Sequence, residues 1–286
     1  MLDDRGLIMA EIVIGIAASH APNLANPSMM RGVNEEQFGR IKAGFARACA
    51  LLEEARPDTI VIFSSDHFDR CFFDNLPPFL VAVGEIAEGP INEYLKIPKV
   101  KVSVDGELGR FLVSEGLESG VDFASSADLP LDHAEVVPLS YLTPKWDIPI
   151  VPIVVNAFAP PMPSLKRCAQ VGAFVRETVE RWPERKRVAV LGTGGLSHWV
   201  GLPEMGRVNA GFDRWFMDTL AAGQQSEIIA RYKKSEELDA VAGNGGQEVR
   251  DWLAAAGAMP PGLRAQVLAY EPLPGCGIGV MAWTNQ

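Results

Sequence analysis

The sequence predicts an α/β fold in which a mixed central sheet is flanked by helices, with a helical C-terminal third. Two observations support this class. Short apolar runs rich in β-branched residues alternate with segments of helical periodicity as far as Leu191. The run at residues 60–63 is apolar throughout, which is typical of a strand buried on both faces of a parallel or mixed sheet. No repeat or linker interrupts the pattern, so we expect a single domain over residues 9–286.

Each predicted element follows from its apolar pattern and its ends. We predict strands at residues 11–18, 60–63, 79–83, 150–155, 188–191 and 278–283. Apolar residues recur at helical spacing at residues 35–55, 105–119, 164–182, 208–221, 226–232 and 246–256, which predicts helices there. Asp105 is placed to cap the second helix. Residues 84–101, rich in Gly and Pro, are expected to form an irregular loop over a site.

The composition excludes several classes of partner. Of the 286 residues, 48% are hydrophobic and 22% are charged, and the formal net charge is −10. Because Lys and Arg are scattered rather than clustered, we expect no nucleic-acid partner. No apolar run approaches the roughly 20 residues that a membrane-spanning helix needs, so we expect no membrane partner.

The N-terminal segment and the cysteines are typical of a cytoplasmic protein. Residues 1–8 are acidic and short, unlike a signal peptide, and we expect a disordered extension, with Met9 as an alternative start. The cysteines lie far apart without a Cys-x-x-Cys pair, which favours buried, reduced thiols. They are Cys49, Cys71, Cys168 and Cys276.

All four histidines are predicted to lie in turns, and three of them directly follow apolar runs. They are His20, His67, His133 and His198. In parallel and mixed sheets the chemistry collects at the carboxyl ends of the strands, so we expect these side chains at one edge of the sheet. Histidine is the commonest metal ligand and the usual general acid or base near neutral pH. A cluster of histidines at one edge supplies both functions.

A metal held by two imidazoles calls for an anionic third ligand that leaves positions open for substrate. Spacing alone does not select this carboxylate. Glu248 is a good candidate because it follows Gly243-Asn244-Gly245-Gly246, whose glycines let the backbone approach a site closely. The alternative is an ordinary first-turn glutamate stabilised by the helix dipole. The same ligands also suit catalytic zinc, so ligand counting leaves the metal open.

Other chemistries fit the sequence less well. Gly192-Thr193-Gly194-Gly195 follows a predicted strand, but Ser197 stands where the dinucleotide-binding pattern has its third glycine. A tight turn that presents His198 is the simpler interpretation. No serine lies in a Gly-x-Ser-x-Gly elbow.

Five short motifs stand in the order of one enzyme family. They are Ser19-His20-Ala21-Pro22, Asp66-His67-Phe68, Asp132-His133, Gly192-Thr193-Gly194-Gly195-Leu196-Ser197-His198 and Gly246-Gln247-Glu248. In this order the chain resembles the type III extradiol ring-cleaving dioxygenases, which include the protocatechuate 4,5-dioxygenase catalytic subunit and 2,3-dihydroxyphenylpropionate 1,2-dioxygenase. The resemblance covers nearly the whole chain from Met9.

The resemblance implies a non-haem Fe(II) enzyme that uses dioxygen to cleave a catechol-type ring beside its two hydroxyls, in aromatic compound degradation. By their motif positions, His20, His67 and Glu248 resemble the Fe(II) ligands. His198 resembles the base next to the metal, and His133 the other acid–base histidine of the pocket. We expect a homo-oligomer. Whether a separate small partner subunit is also needed, as in the protocatechuate enzyme, stays open.

The chain departs from both branches of the family around the substrate. Protocatechuate enzymes carry a Ser-Asn pair that helps to hold the substrate carboxylate, whereas this chain has Pro274-Gly275-Cys276. The substrate therefore stays open. Trp199 either narrows the ring pocket or packs in the core, and both interpretations are kept. We expect Trp199, Asp132 and Cys276 to line the pocket.

Two other functions remain open for the same pocket. One is a non-enzymatic binding protein like the Memo-type proteins, which share the fold superfamily; the full set of four histidines and a carboxylate weighs against it. The other is a zinc-dependent hydrolase. Activity with Zn(II) but not Fe(II) would favour the hydrolase, because zinc has no redox chemistry with which to activate dioxygen.

Overall fold

A computed structural model of the chain describes residues 9–29, 32 and 34–284. The expected disordered extension at residues 1–8 lies outside these residues. The described strands are β1 (Glu11–Ala18), β2 (Thr59–Ser65), β3 (Phe79–Ala82), β4 (Ile86–Gly89), β5 (Val100–Ser103), β6 (Ala124–Ser126), β7 (Ile150–Val155), β8 (Arg187–Thr193), β9 (Ala265–Leu273) and β10 (Cys276–Thr284). The described helices are α1 (Pro22–Ala25), α2 (Glu35–Ala55), α3 (Gly106–Ser119), α4 (His133–Leu142), α5 (Leu165–Val179), α6 (Ala210–Ala221), α7 (Gln225–Arg231), α8 (Ser235–Ala242) and α9 (Val249–Gly257). Short 3-10 turns lie at Pro27–Met29 and Gly245–Glu248.

Eight of these strands form one mixed sheet, in the order β6-β3-β7-β2-β8-β1-β10-β9, while β4 and β5 pair separately. The four middle strands β7, β2, β8 and β1 are parallel to one another. The strands β3 and β10 join this group antiparallel, one on each side. The predicted α/β class with a mixed central sheet is confirmed.

Strand β2 contributes to two hydrophobic cores, one on each face of the sheet. All of its residues are buried. Ile60 and Ile62 pack in the core that includes α2 and α4, whereas Val61 and Phe63 pack in the core that includes α5 and α9. The alternation follows from the two-residue period of a strand. The apolar run at residues 60–63 is therefore buried on both faces, as predicted.

Two helices begin at the capping residues that their sequences contain. The side chain of Asn34 accepts a hydrogen bond from the Glu36 N–H at 2.8 Å at the start of α2, and Pro57 follows its end. The Asp105 side chain accepts from the Leu108 N–H at 3.3 Å at the start of α3, so the predicted cap is confirmed.

The C-terminal third is helical from α6 to α9 but closes with a β-hairpin of β9 and β10. Only its second strand was predicted from the sequence. The strand β9 was not predicted, and β10 is longer than the predicted strand. β9 lies at the edge of the sheet and is mostly half-exposed, and Glu271 and Pro272 interrupt its apolar pattern. An edge strand of this kind lacks the buried apolar run that identifies central strands.

Two connections are more regular than predicted. Residues 84–101 contain β4 and the start of β5 instead of an irregular loop throughout. His133 is the first residue of α4 instead of a turn residue. The prediction missed α4 because Pro138, a residue that usually ends a helix, lies inside it.

The parallel strands β2, β8 and β1 are neighbours, so their carboxyl ends open onto one edge of the sheet. Among the described residues, no helix is both long enough and apolar enough to cross a bilayer.

Candidate metal centre and active site

Three side chains from distant parts of the sequence meet at this edge. His20 follows β1, His67 follows β2, and Glu248 ends the 3-10 turn before α9. The Nε2 atom of His20 lies 3.1 Å from Glu248 Oε2. The Nε2 atom of His67 lies 3.2 Å from Glu248 Oε1. Two imidazole nitrogens therefore face the two oxygens of one carboxylate.

The other ring nitrogen of each histidine is held from behind. His67 Nδ1 donates to Asp132 Oδ2 at 3.1 Å, and a proton on Nδ1 leaves the lone pair of the neutral ring on Nε2. His20 Nδ1 lies 3.0 Å from the hydroxyl of Thr193, at the end of β8. Outer partners of this kind orient metal-ligating histidines.

The arrangement fits a bound cation. The Nε2 atom of His20 is buried, and although it lies 3.1 Å from Glu248 Oε2 it forms no hydrogen bond. Two ligands at about 2.1 Å from one ion lie about 3.0 Å apart in octahedral geometry and about 3.4 Å apart in tetrahedral geometry, close to the two observed nitrogen–oxygen distances. Two imidazoles and a carboxylate are a donor set that transition metals bind.

Other groups of potential ligands lie nearby. Ligand atoms of His20, His67 and His133 lie within 4.8 Å of one another, as do those of Asp69, Asp132 and His133. We favour Glu248 over His133 as the third ligand because a carboxylate offsets the charge of the ion. Glu248 also approaches both other side chains within 3.2 Å.

The pKa shifts of His67 and Glu248 favour a positive charge between the imidazole rings and the carboxylate. Burial opposes a charge on His67, but Asp132 and Glu248 outweigh it and raise the pKa of His67 well above its usual value. Burial likewise opposes ionisation of Glu248, but His20 and His198 hold the pKa of that carboxyl well below its usual value. A protonated imidazole or a metal cation satisfies this site.

His198 lies beside the same carboxylate, with Nε2 at 3.7 Å from Glu248 Oε1. Its Nδ1 atom is 2.9 Å from the carbonyl oxygen of Leu196. A carbonyl only accepts, so Nδ1 carries the proton, and Nε2 of the neutral ring has a free lone pair. This tautomer can accept a proton from a group bound beside Glu248.

Glycines around His198 and Glu248 allow the close approach that the sequence predicts. A Cβ atom on Gly245 would lie 2.1 Å from His198 Nε2. Gly194 has φ +124°, and a Cβ there would lie 2.8 Å from the Glu248 carbonyl oxygen. The Gly195 N–H donates to Glu248 Oε2 at 2.5 Å. The segment at residues 192–195 is therefore part of the site and not only a turn leading to His198.

His133 lies over His67, with ring centroids 4.0 Å apart. The backbone N–H of His133 donates to the Asn92 side-chain oxygen at 2.7 Å. The ring Nδ1 of His133 lies 3.3 Å from the hydroxyl of Tyr94. Burial and the neighbouring His67 hold the pKa of His133 well below its usual value, so this ring is neutral at neutral pH. Asn92 and Tyr94 lie in the Gly- and Pro-rich segment at residues 84–101. The sequence analysis expected this segment to lie over a site, but it did not identify these two residues.

A buried arginine behind the site escaped the sequence reasoning. The Arg70 side chain is 1% exposed and forms ion pairs with Asp66, Asp132 and Glu135. Burial raises the pKa of Glu135 to about 7 against the opposing effect of Arg70. The network fixes Asp132, which in turn holds His67. Residues 66–70 are not helical, so the sequence carried no spacing signal for this network.

A cavity of about 410 Å³ opens beside Glu248. Its lining includes His20, His67, His133, His198 and the predicted pocket residue Cys276. Two other predicted pocket residues, Asp132 and Trp199, lie outside this lining. Asp132 is fully buried behind His67, and Trp199 is buried beneath the guanidinium of Arg207, which lies 4.7 Å from its ring centre.

Comparison with known proteins places this chain in a family. Residues 15–281 match the family described as "Catalytic LigB subunit of aromatic ring-opening dioxygenase". The 2,3-dihydroxyphenylpropionate/2,3-dihydroxicinnamic acid 1,2-dioxygenase of Azotobacter vinelandii is 30% identical and aligns with 89% of this chain and 93% of its own length. A protein of the same name, numbered 1, from Dechloromonas aromatica is 29% identical over 84% of this chain and 88% of its own length.

A solved structure shares the fold. The crystal structure of the uncharacterized protein JW3007 from Escherichia coli K12 superposes with a TM-score of 0.56, at 14% identity, over 95% of this chain and 99% of that one. The family match and the relatives confirm the prediction of an extradiol ring-cleaving dioxygenase, an enzyme class that depends on a metal. The chain therefore belongs to the family of the catalytic LigB subunit of aromatic ring-opening dioxygenases.

Proposed function

We propose that this chain holds Fe(II) through His20, His67 and Glu248 and opens a catechol-type ring with dioxygen beside the two hydroxyls. His198 is the base that takes a proton from the substrate, and His133 is a second acid–base group in the same cavity. Fe(II), when bound, supplies open positions for both substrate oxygens and dioxygen and passes electrons between them.

One observation carries this proposal: two imidazole Nε2 atoms meet the two oxygens of Glu248 at 3.1 and 3.2 Å. Thr193 and Asp132 hold the opposite ring nitrogens, so both rings present the same atom to one point. Two neutral nitrogen donors and one anionic oxygen favour a transition-metal dication over calcium or magnesium, which prefer oxygen ligands alone.

The proton transfer follows from the tautomer of His198. Its Nδ1–H donates to the Leu196 carbonyl, so Nε2 is the atom that accepts. A catechol hydroxyl held beside Glu248 would lose its proton to this nitrogen, which lies 3.7 Å from Glu248 Oε1. His133 is neutral and lines the same cavity, so it can exchange a proton with the second hydroxyl or with the opened product.

The test is anaerobic reconstitution of the full chain with Fe(II) or Zn(II), followed by catechol addition and oxygen-electrode measurement. We expect oxygen uptake and a yellow ring-opened product with Fe(II) only, because zinc cannot exchange electrons with dioxygen. No oxygen uptake with either metal would contradict the proposal.

The ligand assignment is tested with Glu248→Ala. We expect this variant to lose bound Fe(II) and oxygen uptake together, since it removes the anionic ligand. The control is Glu118→Ala, which removes a carboxylate from an exposed position on α3 and is expected to behave as wild type. Wild-type iron content and turnover in Glu248→Ala would show that another group holds the ion.

A further inference from the structure

The cavity beside the proposed metal ligands is larger than one catechol ring requires. Its volume is about 410 Å³, whereas a cavity of about 150 Å³ is enough to hold benzene inside a protein. A ring bound through its hydroxyls therefore fills less than half of the space. The remainder has room for a substituent as large as a second ring or a short alkyl chain.

The lining away from the four histidines and Glu248 is largely apolar. It includes Met29, Phe158, Val200 and Met205. All four are exposed, from 38% for Phe158 to 72% for Met205. Large apolar side chains grouped and exposed around a cavity mark a surface that binds an apolar group.

Away from the four histidines, the described lining offers no positive charge to the substituent. Among the described residues that line the cavity, none is Lys or Arg. Arg70 is buried and committed to three carboxylates. Asn23 is polar but uncharged, so it offers a carboxylate no compensating charge.

We infer that the cavity selects catechols whose substituent is bulky, apolar and uncharged. This inference rests on the proposed function and adds the substrate class to it. A carboxylate on the substituent would leave water for an apolar wall that has no Lys or Arg among its described residues, which is unfavourable. The curated relatives are named for substrates that carry such a carboxylate, so the selection differs from theirs.

The test compares substrates that differ only in charge. Oxygen uptake by the Fe(II)-loaded full chain is measured with 2,3-dihydroxyphenylpropionate, with its methyl ester and with unsubstituted catechol. We expect kcat/KM for the ester to exceed that for the acid at least about tenfold, because burial of an unpaired charge disfavours the acid. Equal values, or a preference for the acid, would overturn the inference and leave the proposed function intact.

A pair of variants locates the selection in the cavity wall. Phe158→Ala removes an aromatic side chain from the lining, and we expect kcat/KM to fall about tenfold for the ester and to change little for catechol. Phe73→Ala is the matched control, since Phe73 is 81% exposed and stands outside the lining. An equal loss for both substrates in Phe158→Ala would overturn the inference. No oxygen uptake with any catechol would instead overturn the proposed function, and this inference with it.

Discussion

In His20 and in His67, one ring nitrogen contacts a neighbouring polar side chain and the other faces Glu248. The held atoms contact Thr193 and Asp132, and the presented atoms face Glu248. These two histidines could be selected as candidate ligands from the sequence because each follows an apolar run. Thr193 could not be assigned its role, since its partner His20 lies far away in the sequence and only sheet pairing of β1 with β8 brings them together.

Thr193→Val tests the role of the held nitrogen. Valine keeps the shape of threonine but removes the hydroxyl that contacts His20 Nδ1, so we expect Fe(II) affinity to fall about 10- to 100-fold. Anaerobic metal titration measures this change. Thr178→Val is the matched control, because the buried Thr178 hydroxyl has no hydrogen-bond partner and its removal is expected to leave affinity unchanged. Equal affinities in the two variants would contradict the assigned role.

His198→Gln tests the base. Glutamine is neutral and cannot accept a proton at neutral pH, so we expect kcat to fall about 100-fold or more while the iron content stays at the wild-type level. Steady-state oxygen uptake and metal analysis of the same sample measure both quantities. A wild-type kcat would show that another group takes the substrate proton.

At the scale of elements, the site depends on turns that bring backbone very close to side chains. The 3-10 turn at Gly245–Glu248 lies against His198, and the turn after β8 lies against Glu248. Glycine clusters in the sequence indicated this proximity. Strand β9, helix α4 and the pair β4 and β5 were not predicted, because their signals are short, half-exposed or interrupted by proline.

Gly245→Ala tests this proximity. The added Cβ would lie 2.1 Å from His198 Nε2, so the ring must move, and a displacement of about 1 Å in an active site costs up to about 100-fold in rate. We therefore expect a large loss of kcat with the fold retained, as judged by circular dichroism.

The matched control for this variant is Gly39→Ala in α2. A Cβ at Gly39 meets no atom within 4 Å, so this variant is expected to keep its kcat and to gain about 0.5–1 kcal/mol of stability. Parallel behaviour of the two variants would contradict the steric explanation.

At the scale of the whole molecule, Asp213 ties α6 to the turn that carries His198 and to the C-terminal hairpin. It accepts hydrogen bonds from the Ser197 N–H and hydroxyl and from the Tyr270 hydroxyl. Burial raises the pKa of Asp213 to about 6 despite these hydrogen bonds. The folded protein therefore binds a proton here more tightly than the unfolded chain does.

The expected consequence is a loss of stability as the pH rises. A raised carboxyl pKa stabilises the fold below the unfolded-state value, and this contribution disappears as the pH rises through about 6. The free energy of unfolding of wild type, relative to Asp213→Asn, should fall by about 1 kcal/mol between about pH 5 and about pH 7. Urea denaturation of both proteins measures this difference. A difference that is constant over this range, or that increases with pH, would contradict the assignment.

The fold class and most central strands could be predicted, because their apolar runs are strong. The candidate site histidines could be read from the motifs. The convergence of His20, His67 and Glu248 on one point is a property of the folded sheet. So is the Arg70 network, whose carboxylates come from two segments. Sequence spacing alone offered several carboxylates for the metal, and in the fold Glu248 lies within 3.2 Å of both His20 and His67.

A crystal structure of the anaerobically Fe(II)-loaded chain, with iron located by its anomalous scattering, tests the metal ligands without relying on turnover. We expect one iron bound by His20 Nε2, His67 Nε2 and a carboxylate oxygen of Glu248. Iron at the neighbouring group formed by Asp69, Asp132 and His133, with Glu248 unbound, would contradict it.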